Sequence, residues 1–175
     1  MGRVTAAVEQ LQTRLQLRRC TSVGAGVRVF GKVAVVDAGV RRLGARVTLD
    51  GSTCPIELKA EPGGELILGD DVHIDGGASV WACGRIVIGA RVRIGAYCQI
   101  LDSHFHIPGE DRHLRPQPTP VIVEDDVVLG PHSILLPGAH VGRGCVVHPR
   151  TVVTRRVPPH SEVRGVPATV RPRNP

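Results

Sequence analysis

Large rings are nearly absent from this sequence: aromatics make up 2% of 175 residues, and they are Phe30, Trp81, Tyr97 and Phe105. A sandwich or helical bundle of this length ordinarily buries several such rings, so the core has to be narrow and filled by aliphatic side chains. The same scarcity argues against nucleic-acid binding, which uses aromatic platforms for stacking bases. Also missing is an apolar run long enough to span a bilayer or to serve as a signal peptide, so no membrane span is expected. The five cysteines (Cys20, Cys54, Cys83, Cys98 and Cys145) are odd in number, and no two sit at a metal-ligand spacing. Such thiols fit a reducing compartment, and a cytoplasmic location is expected.

What the chain has instead is glycine, proline and a strict short period. Its 21 Gly and 14 Pro are an excess for a helical protein and suit a chain that turns every few residues. Every sixth residue of one stretch is aliphatic: Val123, Leu129, Leu135, Val141, Val147, Val153. The residue two before each is small or β-branched: Val121, Val127, Ser133, Ala139, Cys145, Thr151. An α-helix needs apolar recurrence at three and four. A period of six fits a triangular coil in which each side is a short strand pointing one large side chain inward, followed by a turn. Gly130, Gly138, Gly142 and Gly144 fall between the aliphatic positions, where the backbone has to bend. No hexad can bury its own apolar face, so the coils must stack, and an all-β parallel β-helix is expected. Cys98 and Cys145 take small inward positions, which assigns them to packing.

Residues 1–20 stand apart. Val4, Val8, Leu11 and Leu15 follow helical spacing, with Arg14, Arg18 and Arg19 toward the end, where cations favour the helix dipole. A short amphipathic helix capping the open end of the solenoid is expected. A basic helix on a membrane surface is the other reading, and it leaves peripheral membrane contact open. The solenoid unit spans 21–155. Its phase passes through Val23, Val29 and Val35, resets to Leu43 and Leu49 with Ile56 near the next corner, and meets a loose polar turn at 57–65. It resumes at Leu68, Ile74 and Val80, slips at Gly84, and continues at Ile88, Ile94 and Ile100. Hexads in threes make roughly six coils. Residues 101–120 break the pattern as a protruding loop carrying His104, His106 and His113, and long ordered loops are commonly functional. The unit 156–175, rich in Pro and Arg, is expected to leave the solenoid and fold back over its side or end. The formal charge of +6 fits either a surface with surplus Arg or an anionic ligand such as a phosphorylated cofactor or a nucleotide sugar.

The segment from Val121 to Arg171 is similar to the C-terminal half of the maltose, galactoside and colanic-acid O-acetyltransferases of the hexapeptide-repeat acyltransferase family. The turn Val152-Val153-Thr154-Arg155-Arg156-Val157-Pro158-Pro159 and the following Gly165-Val166-Pro167-Ala168 carry the resemblance, together with the Asp- and His-bearing segment that opens the loop. It implies a left-handed parallel β-helix, a homotrimer, and acetyl-CoA bound along the groove between subunits. Handedness does not follow from the period, since parallel crossovers are ordinarily right-handed.

The resemblance also implies the chemistry. An alcohol attacking a thioester needs a base, and a neutral imidazole can take its proton. His106 matches the family's catalytic histidine. His104, two residues away, would point the same way on an extended segment, and both could also be solvated loop residues. Asp102 either steadies the imidazole or caps the turn out of the coil. Pro131 occupies the place of a residue lining the pantetheine arm. Pro149 stands where the family has Ala, and it removes an N–H that the cofactor could use. Thr154 and Arg155 match a Thr-Lys pair, with the cation kept for a phosphate. Thr169 replaces a later basic residue, and Arg171 is the nearest substitute.

The expected activity is acetyl-CoA-dependent O-acetylation of a sugar or polysaccharide precursor, with an exopolysaccharide or envelope glycan as the favoured acceptor class, and no metal is expected. N-acetylation of an amino sugar is the nearest alternative. A γ-class carbonic anhydrase would need three converging imidazoles, whereas His132, His140 and His148 are spaced by eight and hold no fixed place in the hexad. A non-catalytic trimeric scaffold would have no use for the His-bearing loop.

Overall fold

The computed structural model describes residues 10–104 and 116–173. Its strands form a solenoid of about seven turns. The first coil holds β1 (Ser22–Val23) and the bent β2 (Arg28–Val36), and the second holds β3 (Val40–Leu43) and the bent β4 (Thr48–Ala60). The third is β5 (Glu65–Leu68), β6 (His73–Asp75) and β7 (Ser79–Ala82); the fourth is β8 (Arg85–Ile88), β9 (Arg93–Ile94) and β10 (Gln99–Leu101). After the excursion come β11 (Val121–Val123), β12 (Val128–Leu129) and β13 (Ile134–Leu135), then β14 (His140–Val141), β15 (Val146–Val147) and β16 (Val152–Val153). A last partial coil has β17 (Arg156–Val157) and β18 (Ser161–Arg164), and β19 (Thr169–Pro172) closes the chain.

All pairings between successive coils are parallel, and the register stacks identical hexad positions into three inward columns. One runs Leu43, Leu68, Ile88, Val123, Val141, Val157. The second runs Leu49, Ile74, Ile94, Leu129, Val147, Val163. The third runs Val35, Leu58, Val80, Ile100, Leu135, Val153. All of these side chains are buried. Between the large residues sit the small ones, with Ser133, Ala139, Cys145 and Thr151 buried as well. A one-residue slip would turn every column outward, so the alternation itself fixes the register. This is the left-handed β-helix fold class that the sequence led us to expect.

The expected loose turn at 57–65 is shorter than the sequence suggested. Residues 57–60 belong to β4, with Leu58 and Ala60 fully buried, and only 61–64 form the turn. Glu57 and Lys59 made the stretch look polar, but they are the outward partners in an alternating strand. The glycines also divide by cause. Gly138 and Gly144 take positive φ of 82° and 67°. Gly130 does not; a Cβ there would lie 2.6 Å from the Pro149 nitrogen of the next coil, so close stacking excludes the side chain. Most left-handed corners are occupied by other residues, among them Arg46, Asp71, Arg91, Tyr97, Asp126, His132 and Arg150.

Both ends are closed. Residues 10–16 are helical and lie against the first coil through polar groups. Val29 N–H donates to Thr13 Oγ1 at 3.3 Å, Val33 N–H donates to Gln16 Oε1 at 2.7 Å, and Gln16 Nε2 donates to the Gly31 carbonyl at 3.1 Å. These contacts satisfy backbone groups on an exposed strand edge. The buried residues are Thr13 and Leu17, whereas Leu11 and Leu15 of the expected apolar stripe are exposed at 59% and 55%. The expected packing face is therefore corrected: hydrogen bonding to the edge decides which side turns inward. Arg41 points inward at the same end and donates to the carbonyls of Val36, Asp37 and Arg19. At the other end, the solenoid continues past residue 155 through β17 and β18. The fold-back begins at Gly165, and β19 pairs antiparallel with β18.

Candidate functional site

The chain leaves the solenoid after β10 and returns at β11, and both stems of this excursion are pinned. Asp102 is completely buried. Its Oδ1 accepts from the Cys83 N–H at 2.7 Å and its Oδ2 from the Gly84 N–H at 2.8 Å. The Asp102 carbonyl accepts from Thr119 N–H at 2.8 Å on the returning stem, and the Thr119 carbonyl accepts from Gly138 N–H at 3.2 Å. Pro118 fills the space over Gly84, where a Cβ would sit 2.8 Å from its ring. Asp102 thus takes the turn-capping role in this geometry. His104 is exposed at the head of the outgoing stem. His106 lies outside the described residues.

Cys83, Glu61 and Ser103 gather at this corner, a grouping that the motif reading did not single out. The signal was available in the register: Leu101 pairs with Trp81, which carries position 83 to the level of 103. Burial, reinforced by Glu61 and Asp102, pushes the Cys83 thiol up to about 11. It is therefore a protonated thiol near neutrality and a poor nucleophile.

Pro131 and Pro149 are brought together at another corner, on successive coils, where Arg150 N–H donates to the Pro131 carbonyl at 3.0 Å. Beside them the Tyr97 and His132 rings stack with centroids 5.1 Å apart and planes within 9°. Thr154 and Arg155 are exposed at the corner after β16. Arg171 lies elsewhere, on β19, paired in register with Glu162, so within one protomer it is not grouped with Arg155. Arg150, Arg155 and Arg156 are exposed and form no ion pair with a carboxylate among the described residues. Free cations at this end of the solenoid suit the phosphates of a CoA-type donor.

The other histidines are engaged separately. His140 Nε2 lies 2.8 Å from Glu124, whose carboxyl is held below its ordinary range chiefly by that contact and by the Arg143 N–H. His148 Nε2 lies 3.3 Å from Glu162, and His73 Nε2 2.8 Å from Asp75. Among the described residues, no three His, Cys, Asp or Glu side chains converge as a metal site.

Residues 120–155, with their intact coils beyond the excursion, match the family described as Bacterial transferase hexapeptide (six repeats). The chain carries the transferase hexapeptide repeat. A 55-residue stretch is 44% identical to the 2,3,4,5-tetrahydropyridine-2,6-dicarboxylate N-acetyltransferase of Staphylococcus aureus (strain JH9), covering 31% of this chain and 23% of that protein. The match thus spans about a quarter of that relative's length. Among solved structures, AntD, an N-acyltransferase from Bacillus cereus in complex with dTDP and coenzyme A, shares the hexapeptide-repeat fold with a TM-score of 0.76 at 20% identity, over 94% of this chain and 89% of that one. A hexapeptide-repeat-containing acetyltransferase from Vibrio cholerae complexed with acetyl coenzyme A gives 0.63 at 21% identity, over 99% and 85%.

Proposed function

We propose that this protein is an acetyl-CoA-dependent acetyltransferase acting on a sugar or glycan precursor, with His106 as general base and His104 as the alternative. The observation that carries the reading is the single excursion from the hexapeptide-repeat solenoid among the described coils. It is pinned at both stems and bears a histidine at its head. An inert solenoid has no need to fix such a loop through the buried Asp102 carboxylate.

In this reading the acceptor hydroxyl attacks the acetyl carbonyl carbon while the imidazole takes its proton. The carbon–sulfur bond then breaks, and the thiolate leaves as the free thiol of CoA after gaining that proton. Asp102 holds the stem that carries the base. Pro131 and Pro149 offer a smooth apolar corner to the pantetheine arm, and Thr154, Arg155 and Arg171 serve the phosphates. Arg155 and Arg171 lie on different sides of one protomer, so both reach one donor only if it lies between neighbouring copies, as in a homotrimer. Thiol release from acetyl-CoA, measured over a panel of sugars and nucleotide sugars, tests the reading; no release with any of them overturns it.

N-acetylation of an amino sugar is the second reading. It is favoured by the matched Staphylococcus aureus and Bacillus cereus proteins, both named as N-acyl transferring enzymes. Paired acceptors differing only in an amine or hydroxyl at one carbon separate the two.

A further inference from the structure

The side chains of residues 10–20 divide into two opposite stripes. Thr13 and Leu17 are buried, Gln16 and Cys20 partly so, and all four face the solenoid. Leu11, Arg14, Leu15 and Arg18, spaced at i, i+3, i+4 and i+7, are all exposed on the other side. The first coil continues this surface. Val23 and Phe30 are exposed, and the Arg28 guanidinium stands 5.9 Å from the Phe30 ring centroid. From Gln10 to Val36 the sequence contains Arg14, Arg18, Arg19, Arg28 and Lys32 and no Asp or Glu. Among the described residues the ion pairs begin only further on, at Arg42 with Glu65.

We propose that this end of the solenoid docks on an anionic lipid membrane. Leu11 and Leu15 would enter the headgroup boundary while Arg14, Arg18, Arg19, Arg28 and Lys32 meet lipid phosphates. A second copy of this chain is a poor occupant, because self-association through the patch sets like-charged arginines against one another. Nucleic acid would use the cations but gain nothing from exposed leucines, and the patch offers one ring only. The proposal does not depend on the reading of the catalytic loop.

Co-sedimentation of the full chain with phosphatidylcholine vesicles, with and without about one-third phosphatidylglycerol, tests it. Binding is expected to the anionic vesicles only and to weaken as salt rises from low to several hundred millimolar. Leu11→Ser/Leu15→Ser and Arg14→Gln/Arg18→Gln are each expected to lower it about tenfold or more while leaving the melting temperature and the thiol-release activity unchanged. Equal binding to neutral vesicles, or none to either kind, overturns the proposal. So does an oligonucleotide that displaces the vesicles while the leucine variants bind as wild type, which would assign the patch to nucleic acid. A loss of oligomer in Leu11→Ser/Leu15→Ser, without loss of vesicle binding, would assign the stripe to a second copy and equally overturn it.

Discussion

The buried carboxylate of Asp102 holds the backbone of Gly84, one coil earlier, through a 2.8 Å hydrogen bond, and its other oxygen holds Cys83. Both oxygens are committed to amides at the point where the chain departs from the solenoid. Asp102→Asn keeps one acceptor and turns an NH2 group toward an N–H donor. The cost of an unsatisfied buried donor, about 1–3 kcal/mol, should appear as a lower melting temperature. Any loss of activity should then follow from the misplaced stem. A variant that melts like wild type yet has lost its pH dependence would instead make Asp102 a direct partner of the base.

His106→Ala is expected to lower thiol release by about 10²–10⁴-fold, the usual worth of a positioned acid–base group, with the circular dichroism and melting curve unchanged. His104→Ala should have a small effect. If the two results are exchanged, the base is His104, which stands exposed at the stem. If both variants turn over like wild type, neither imidazole takes the proton.

The period of six read the core almost residue by residue, because each inward column repeats one hexad position. It failed where another demand outweighed it. Residues 57–60 alternate with a period of two inside a long bent strand, and Glu57 and Lys59 masked Leu58 and Ala60. The helix was legible as a helix, but its inward side was not. Thr13 and Gln16 are chosen by unpaired strand-edge groups of Val29, Val33 and Gly31, which apolar spacing cannot report. At the candidate site, Asp102 was visible as a residue, while its partners required the coil-to-coil register. Corners occupied by Arg, Asp, Tyr and His at positive φ escape a search for glycine.

The cysteines should be sluggish toward alkylation. Burial raises the Cys20, Cys98 and Cys145 thiols and takes Cys83 to about 11, so little thiolate is present at pH 7.5. In the native protein, iodoacetamide should label these four far more slowly than in denaturant. Peptide mapping after timed quenching checks this. Fast native labelling of Cys83 would mean that its corner is open and its thiol available for chemistry.

One corner carries alternating charges from coil to coil. Arg46 Nε donates to Asp71 at 2.6 Å and Arg91 Nε to Asp126 at 2.6 Å. These guanidinium hydrogen bonds hold both carboxyls below the ordinary aspartate range, and the Arg164 and His148 contacts do the same for Glu162. A folded pKa below the unfolded one gives stability that is present above the unfolded value and is lost as pH falls through the folded value. Thermal stability should therefore be flat from pH 7 to about 5 and decline below about pH 4. Arg46→Gln/Arg91→Gln should flatten that acid decline while changing the neutral melting temperature little, because exposed pairs contribute weakly. Melting curves at stepped pH check the sign: an acid limb as steep in the double variant as in wild type would place the titrating carboxylates elsewhere in the fold.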